Sequence, residues 1–281
     1  MRKLWIYIMV ISIITLTVGC TPNQQTDGTN QNLSESIYFE DYEGYQMVKE
    51  TLADKFFTYE DEQHIESKNV REIMVEGVFE NITFIQENRE DILVSYYGIF
   101  EKGKNNTYPK RDIVEQRDVF YSIKWENFEG QSFARVEVRI PEELYVPISA
   151  QCESGNIEAS YLESSIIQLK TSSGNISLKN INTDSLIINS NSGNIEVLEG
   201  VIYKIDIVNI TGNIITSIIE QKNNIEMVNG SGNIIITAVE IDGKINAESS
   251  SGQIKLDDFD NEETYSLTMR TESGNISLTK K

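Results

Sequence analysis

The sequence predicts an all-β fold: a parallel β-solenoid of about 19–22 residues per rung, preceded by a short acidic segment. Three observations carry that prediction. The tetrapeptide Ser-Gly-Asn-Ile, or a close variant, occurs seven times, with its glycines at Gly155, Gly174, Gly193, Gly212, Gly232, Gly252 and Gly274. Successive glycines lie 19, 19, 19, 20, 20 and 22 residues apart, so one small unit is stacked on itself. Around each glycine apolar residues recur two positions apart, which is the period of a strand.

The amino terminus reads as an address rather than as part of the fold. Residues 1–19 form a signal peptide, with Arg2 and Lys3 ahead of an apolar run from Leu4 to Val18. That run is short for a membrane span and suits a signal core. It closes on Thr17-Val18-Gly19-Cys20, which resembles the bacterial lipoprotein signal, with a small residue before the cysteine and Thr17 where leucine is usual. The resemblance implies cleavage before Cys20 and acyl chains (palmitate among them) attached to it, so Cys20 is the lipid-attachment residue. An uncleaved anchor or a plain secretory signal are the alternatives, and each also places the chain outside the cytoplasm. Abundant Ile, Asn and Lys with only 4 Pro hint at an AT-rich, Gram-positive genome.

Residues 20–34 form a flexible tether, because Thr21 to Asn32 holds no core-forming residue and cannot repay the entropy of ordering. Residues 35–69 are an acidic lead-in. Tyr45, Val48, Leu52 and Phe56 stand at helical spacing, so Asp41 to Phe57 is expected as one helix, with a strand over Lys55 to Tyr59 as its rival. His64, the single histidine, lies among Glu60, Asp61, Glu62 and Glu66 and is read as a solvated surface residue.

The solenoid domain covers residues 70–281, with regular rungs from 146 to 279. Seven residues before each glycine stand Ile148, Ile167, Leu186, Ile205, Ile225, Ile245 and Leu267. Two after it the residue is always Ile, at 157, 176, 195, 214, 234, 254 and 276. These columns point inward, and stacking each rung on the one before buries them. Parallel crossovers are overwhelmingly right-handed, so a right-handed solenoid is expected. The glycine allows a corner at positive φ, and the asparagine beside it is placed to form a ladder of amides from rung to rung. Setting Glu80 at the glycine position recovers a degenerate rung, Ile73, Val75, Ile82 and Phe84, expected to cap the array. Ile92 to Tyr97, Val119 to Trp125 and Ala134 to Ile140 are further strands, and Lys102 to Arg111 is a loop.

The Ser-Gly-Asn-Ile rungs, Asn81-Ile82 and the run Val138-Arg139-Ile140-Pro141 together resemble the bacterial putative-adhesin β-strand-repeat family. That family is a domain of unknown function on envelope-associated proteins. The resemblance implies the repeat fold over residues 70 to 279 and marks no catalytic residue.

Charge and chemistry narrow the function further. The chain carries a net charge of −20, and removal of residues 1–19 leaves −22, a surface that repels nucleic acid. Glu153, Glu158, Glu196, Asp206, Glu226 and Glu248 face outward without the paired arrangement that glycoside hydrolysis needs, so an enzyme is not expected. An envelope polysaccharide-acting enzyme is nevertheless the sharp alternative. The other is a cation-binding structural protein, in which Asp257 to Glu263 would take calcium without the glycine of an EF-hand loop. No catalytic residue, metal ligand or cofactor is assigned. Cys152 fills a small slot near a corner and is read as a packed thiol.

One outward feature breaks the polar rule. Ile187, Val208, Ile210 and Val228 crowd one face at the middle rungs, and Ile215 and Ile235 the other; together they are the candidate partner patch. The expectation is a cell-surface lipoprotein, held at the membrane by its lipid. Its solenoid binds or scaffolds envelope proteins or cell-wall polymer without catalysis.

Overall fold

The computed structural model describes residues 42–52, 56–102, 110–116, 118–124, 132–220, 223–241, 243–259 and 265–281. In chain order, helix α1 (Tyr42–Leu52) leads to β1 (Phe56–Glu66), β2 (Ile73–Glu76), β3 (Asn81–Glu87) and β4 (Asp91–Glu101). β5 (Lys110–Gln116), β6 (Asp118–Lys124) and β7 (Ser132–Pro141) precede the regular repeats. These contribute β8 (Ile148–Cys152), β9 (Ile157–Ser160), β10 (Glu163–Thr171), β11 (Ile176–Ser192) and β12 (Ile195–Thr211). They continue with β13 (Ile214–Glu220), β14 (Ile225–Ser231), β15 (Ile234–Glu240), β16 (Gly243–Ser249), β17 (Ile254–Leu256), β18 (Tyr265–Ser273) and β19 (Ile276–Lys280). Among the described residues these strands belong to one hydrogen-bonded sheet wound around a continuous apolar core.

Each rung has a strand on either side of its Ser-Gly-Asn corner. On the first face β8, β10, the end of β11, the end of β12 and β14 pair in parallel. On the second face β9, the start of β11, the start of β12, β13 and β15 do the same. Every glycine-minus-seven and glycine-plus-two residue of these rungs is buried, as the two-residue period demands. Another corner separates the second face from a short third side, and there Tyr161, Asn180 and Glu199 all take left-handed φ (56°, 53° and 61°) in successive rungs. The repeat columns do not announce that corner, since three unlike side chains occupy it.

The order of the rungs departs from the order of the repeats. β14 pairs with β18, and β18 with β16; β15 pairs with β19, and β19 with β17. The seventh repeat is therefore inserted between the fifth and the sixth, and the sixth forms the end of the stack. The longest interval, 22 residues, falls where the chain steps back. The amino-terminal end repeats the trick. β2 and β3 pair with β8 and β9 on one side and with β6 and β7 on the other, so the Glu80 rung is interior rather than the cap.

The cap is antiparallel. β4 pairs with β7 and β1 with β4, while β5 covers β6. These pairings use the backbone groups that a parallel stack leaves bare at its last rung. The helix is shorter than its apolar spacing predicts and the rival strand exists too, longer than expected, because Phe56 opens β1 and pairs with Glu101 of β4. Tyr45 anchors α1 on this layer, its ring 5.3 Å from that of Tyr97 and fully buried. Of the expected loop at Lys102 to Arg111, residues 103–109 lie outside the described residues, and Lys110 already begins β5.

At the corners the rungs touch backbone to backbone. A Cβ placed on Gly193 would lie 2.1 Å from the carbonyl oxygen of Gly174, and one on Gly174 the same distance from that of Gly155. The series continues to Gly274, 2.0 Å from the Gly232 carbonyl, and Gly252, 1.8 Å from that of Gly274. Positive φ recurs at Gly193, Gly212, Gly232 and Gly274 but not at all seven corners, so contact rather than conformation is the shared requirement. Beside the glycines, each asparagine side-chain oxygen accepts the backbone N–H of the next one. Asn156 N–H bonds Asn81 Oδ1 at 2.8 Å, Asn175 bonds Asn156, and the series ends with Gln253 N–H on Asn275 Oδ1 at 2.8 Å. We expect Gly193→Ala to cost about 3 kcal/mol or more, and Asn194→Ala only about 1 kcal/mol, in chemical denaturation. Equal costs would contradict the contact reading.

Candidate functional site

The outward apolar residues fall into two groups on opposite faces. On the first face Val208 stands directly beside Val228 in the ladder, with Ile210 farther along the same strand. Ile187 lies one row away, beside Asp206, so it meets Val208 diagonally. On the second face Ile215 and Ile235 are ladder partners, bounded across the strands by Glu196 and Ser277. Val208, Ile210 and Ile235 are 38%, 55% and 37% exposed, and Ile187, Val228 and Ile215 are half-buried. Tyr145, Tyr161, Tyr203 and Ile166 are also exposed, and no column of the repeat singles them out.

A second constellation, absent from the repeat pattern, lies at the capped end. β7 alternates apolar inward residues with Arg135, Glu137 and Arg139, and the structure joins these to neighbours on four strands. Arg135 Nη2 donates to Glu158 Oε2 at 2.7 Å and to Thr83 Oγ1 at 2.8 Å. Arg139 bridges Glu137 Oε2 at 3.1 Å and Glu87 Oε2 at 3.0 Å, and the Tyr97 hydroxyl donates to Glu137 Oε1. From Glu87 the chain of charges runs through Arg89 (2.9 Å) to Asp91 (2.8 Å) and on to His64 Nδ1 at 2.5 Å. The side chains of Arg135 and Glu137 are each 7% exposed, and charges so buried persist only when paired. Each carboxylate here is engaged by a cation or a hydroxyl, so the cluster acts as a tie between cap and array rather than as an open acid–base pair. The period-two charges of Arg135, Glu137 and Arg139 inside an apolar strand were the available signal.

The helix is fastened by the same kind of chemistry. Glu60 on β1 accepts from Lys49, from the Tyr45 hydroxyl at 3.0 Å and from the Tyr42 hydroxyl at 3.1 Å. Burial pushes the Glu60 pKa up, but these three donors outweigh it and hold the carboxyl below its ordinary range. Asp91 is likewise lowered, by His64 first and then Arg89. His64 is exposed, as read from sequence, and is bonded to Asp91.

The remaining sequence candidates are placed as follows. The corner glycines are structural contacts. Cys152 is buried, its Sγ 2.9 Å from the Gly155 carbonyl oxygen, and burial pushes its thiol pKa up, away from reactivity. Asp257 accepts the Lys280 N–H at 2.9 Å, Asp258 is exposed, and residues 260–263 of the acidic run lie outside the described residues, as does Cys20. Among the described residues no group of three or more His, Cys, Asp and Glu is placed to hold a metal ion, and no helix is long and apolar enough to cross a membrane.

Residues 70–281 match the family model described as Toastrack DUF4097. No curated protein matches the chain. Among solved structures it is similar to a putative cell adhesion protein from Clostridium sporogenes, at 14% identity over 80% of this chain and 100% of that one, with a TM-score of 0.40. A putative adhesin from Bacteroides fragilis shares 16% identity over 80% of this chain and 97% of its own, with a TM-score of 0.42. A protein from Parabacteroides distasonis named as a putative lipid binding protein shares 17% identity over 79% of this chain and 97% of its own, with a TM-score of 0.38.

The two lowered carboxyls set a pH dependence for the cap. A carboxyl whose pKa is depressed by folding contributes stability while ionised, and that contribution is lost as pH falls through the depressed value. Acidification below about pH 4 is therefore expected to release α1 and β1 first. The near-UV circular dichroism of the Tyr42, Tyr45 and Tyr97 cluster should fade before the far-UV β signal does. A near-UV signal that persists to about pH 2 would contradict this assignment.

Proposed function

The chain belongs to the Toastrack DUF4097 family, and from that premise we propose that it is a cell-surface lipoprotein whose solenoid is a non-catalytic binding or scaffold module of adhesin-like character. In this reading Cys20 carries the lipid that holds the chain to the outer side of the cell membrane. The tether then lifts the solenoid into the envelope, where its partners are envelope proteins or cell-wall polymer. Nucleic acid is disfavoured by the net charge of −20.

The observation that carries the proposal is the pairing of Ile215 with Ile235. Two isoleucines adjacent across strands, on a face whose alternate residues are otherwise mostly polar, form a small apolar platform bounded by Glu196 and Ser277. Such a platform suits a partner that covers it, and the Val208–Val228 pair offers a second on the opposite face. Backbone strands held from both sides keep both platforms preformed, so little conformational entropy is lost when a partner docks.

Ile215→Glu combined with Ile235→Glu tests this directly. Crosslinking on intact cells should capture envelope partners with the wild-type chain and several-fold less with the double variant, while the circular dichroism spectrum and thermal midpoint stay the same. Undiminished capture by a folded double variant rejects the second face as the docking surface.

A further inference from the structure

The two ends of the solenoid are finished differently. At the amino-terminal end, antiparallel strands and α1 cover the last parallel rung. At the other end, β16 pairs only with β18, and β17 only with β19, among the described residues. Among the described residues no strand pairs with their outer edges, which leaves the backbone N–H and C=O groups there for a further strand. The core columns also run out into solvent there. Ile254 is 43% exposed and Leu256 41%, whereas the isoleucines in the Ile254 column of the other six rungs are at most 1% exposed. Ile245 and Ala247 on β16 are only half-buried for the same reason.

The charges on this edge identify what fits it. Along the outer surface of the last rungs Glu226, Arg270 and Glu248 alternate in sign, with Arg270 3.5 Å from Glu226 and 3.2 Å from Glu248. The row stops at the open edge on the negative Glu248, which is 72% exposed. β16 reads Gly243-Lys244-Ile245-Asn246-Ala247-Glu248-Ser249, with Lys244 and Glu248 equally far from Asn246 and both exposed on the outer surface. An antiparallel two-fold centred on Asn246 sets Lys244 of one chain opposite Glu248 of the other, twice, and sets Ile245 opposite Ala247 on the inner side. The zigzag of alternating charges then runs from Glu226 through Arg270 and Glu248 to Lys244 of the second chain. The charges are opposite in sign at both contacts, which an unrelated partner strand would have to match by chance.

We propose that the open end is a self-association surface. Two copies join end to end through antiparallel β16 edges, the second copy supplying the hydrogen bonds and the apolar cover that the first lacks. The interface is isologous and closes as a dimer, because each copy has one open end and one capped end. Two lipid-anchored chains joined this way would present their side faces together, and the association is independent of the Ile215–Ile235 platform.

Sedimentation equilibrium of the full chain in non-ionic detergent tests the proposal with charge reversals. The wild type should show a monomer–dimer equilibrium. Lys244→Glu places four acidic groups at the two contacts, and Glu248→Lys places four basic ones; each should weaken the dimer about tenfold or more. Lys244→Glu with Glu248→Lys exchanges the signs and should restore association to near the wild-type constant, while Ile215→Glu with Ile235→Glu leaves it unchanged. A monomer at every concentration overturns the proposal. So does a dimer that ignores the single reversals, or one that the double reversal fails to restore. Circular dichroism of each variant confirms that these exposed positions leave the fold intact.

Discussion

The rest of the structure depends on one contact: a glycine Cα packed on the carbonyl oxygen of the glycine one rung away. Contact this close leaves no room for a Cβ, and from it the local design follows. With the corners in register, the asparagine that follows each glycine meets its counterpart, and side-chain oxygen can accept backbone N–H without interruption from Asn81 to Gln253. With the asparagines fixed, the next residue turns inward, and isoleucine fills that place in all seven repeats. The apolar columns stabilise the array through burial, roughly 1.5–3 kcal/mol for each full side chain. The corner decides which columns meet.

How the stack ends is a separate problem, and the chain solves it differently at its two ends. The glycine column stops at Glu80, fully buried, whose carboxylate oxygen accepts the N–H groups of Val78 (2.6 Å) and Phe79 (3.1 Å). A large acidic residue is tolerated there because its side chain satisfies its own turn. Beyond it the β6–β7 rung, the antiparallel strands and the Arg–Glu chain seal the edge. At the far end the carboxy-terminal strands β18 and β19 are clamped on both sides, and the rung that precedes them in sequence is left outside. β18 and β19 thereby sit inside the stack, with Leu267, Met269, Ile276 and Leu278 all buried.

Much of this was readable from the residues. The repeat fixed the solenoid, the columns fixed which side chains point inward, and placing Glu80 at the corner recovered Ile73, Val75, Ile82 and Phe84 as a rung. The order of the last two rungs was not readable, because backbone ladders pair any strand with any other. Ile245 and Leu267 stand in the same column as Ile225 and are equivalent partners for it. The antiparallel cap was hidden for a related reason: nothing in β4, an almost wholly apolar strand, states that its neighbours run against it. The charged cluster escaped because its members come from 64 to 158 in sequence and meet only once β1, β3, β4, β7 and β9 are adjacent. Function was least readable of all, since the repeated residues are occupied in holding the fold and the outward residues between them form no pattern that names a chemistry.

The central claim is that stacking, not sequence order, sets the neighbours of each rung. Cysteines at outward positions test it most directly. In the described arrangement Glu226 lies beside Thr268, and Asn246 lies one strand beyond. Adjacent strands are about 4.8 Å apart and next-but-one strands about twice that. With a short thiol crosslinker, Glu226→Cys with Thr268→Cys should link rapidly within one chain, and Glu226→Cys with Asn246→Cys should link poorly. The reverse result, efficient linking to position 246 and little to 268, would show rungs stacked in the order of the sequence and contradict the account.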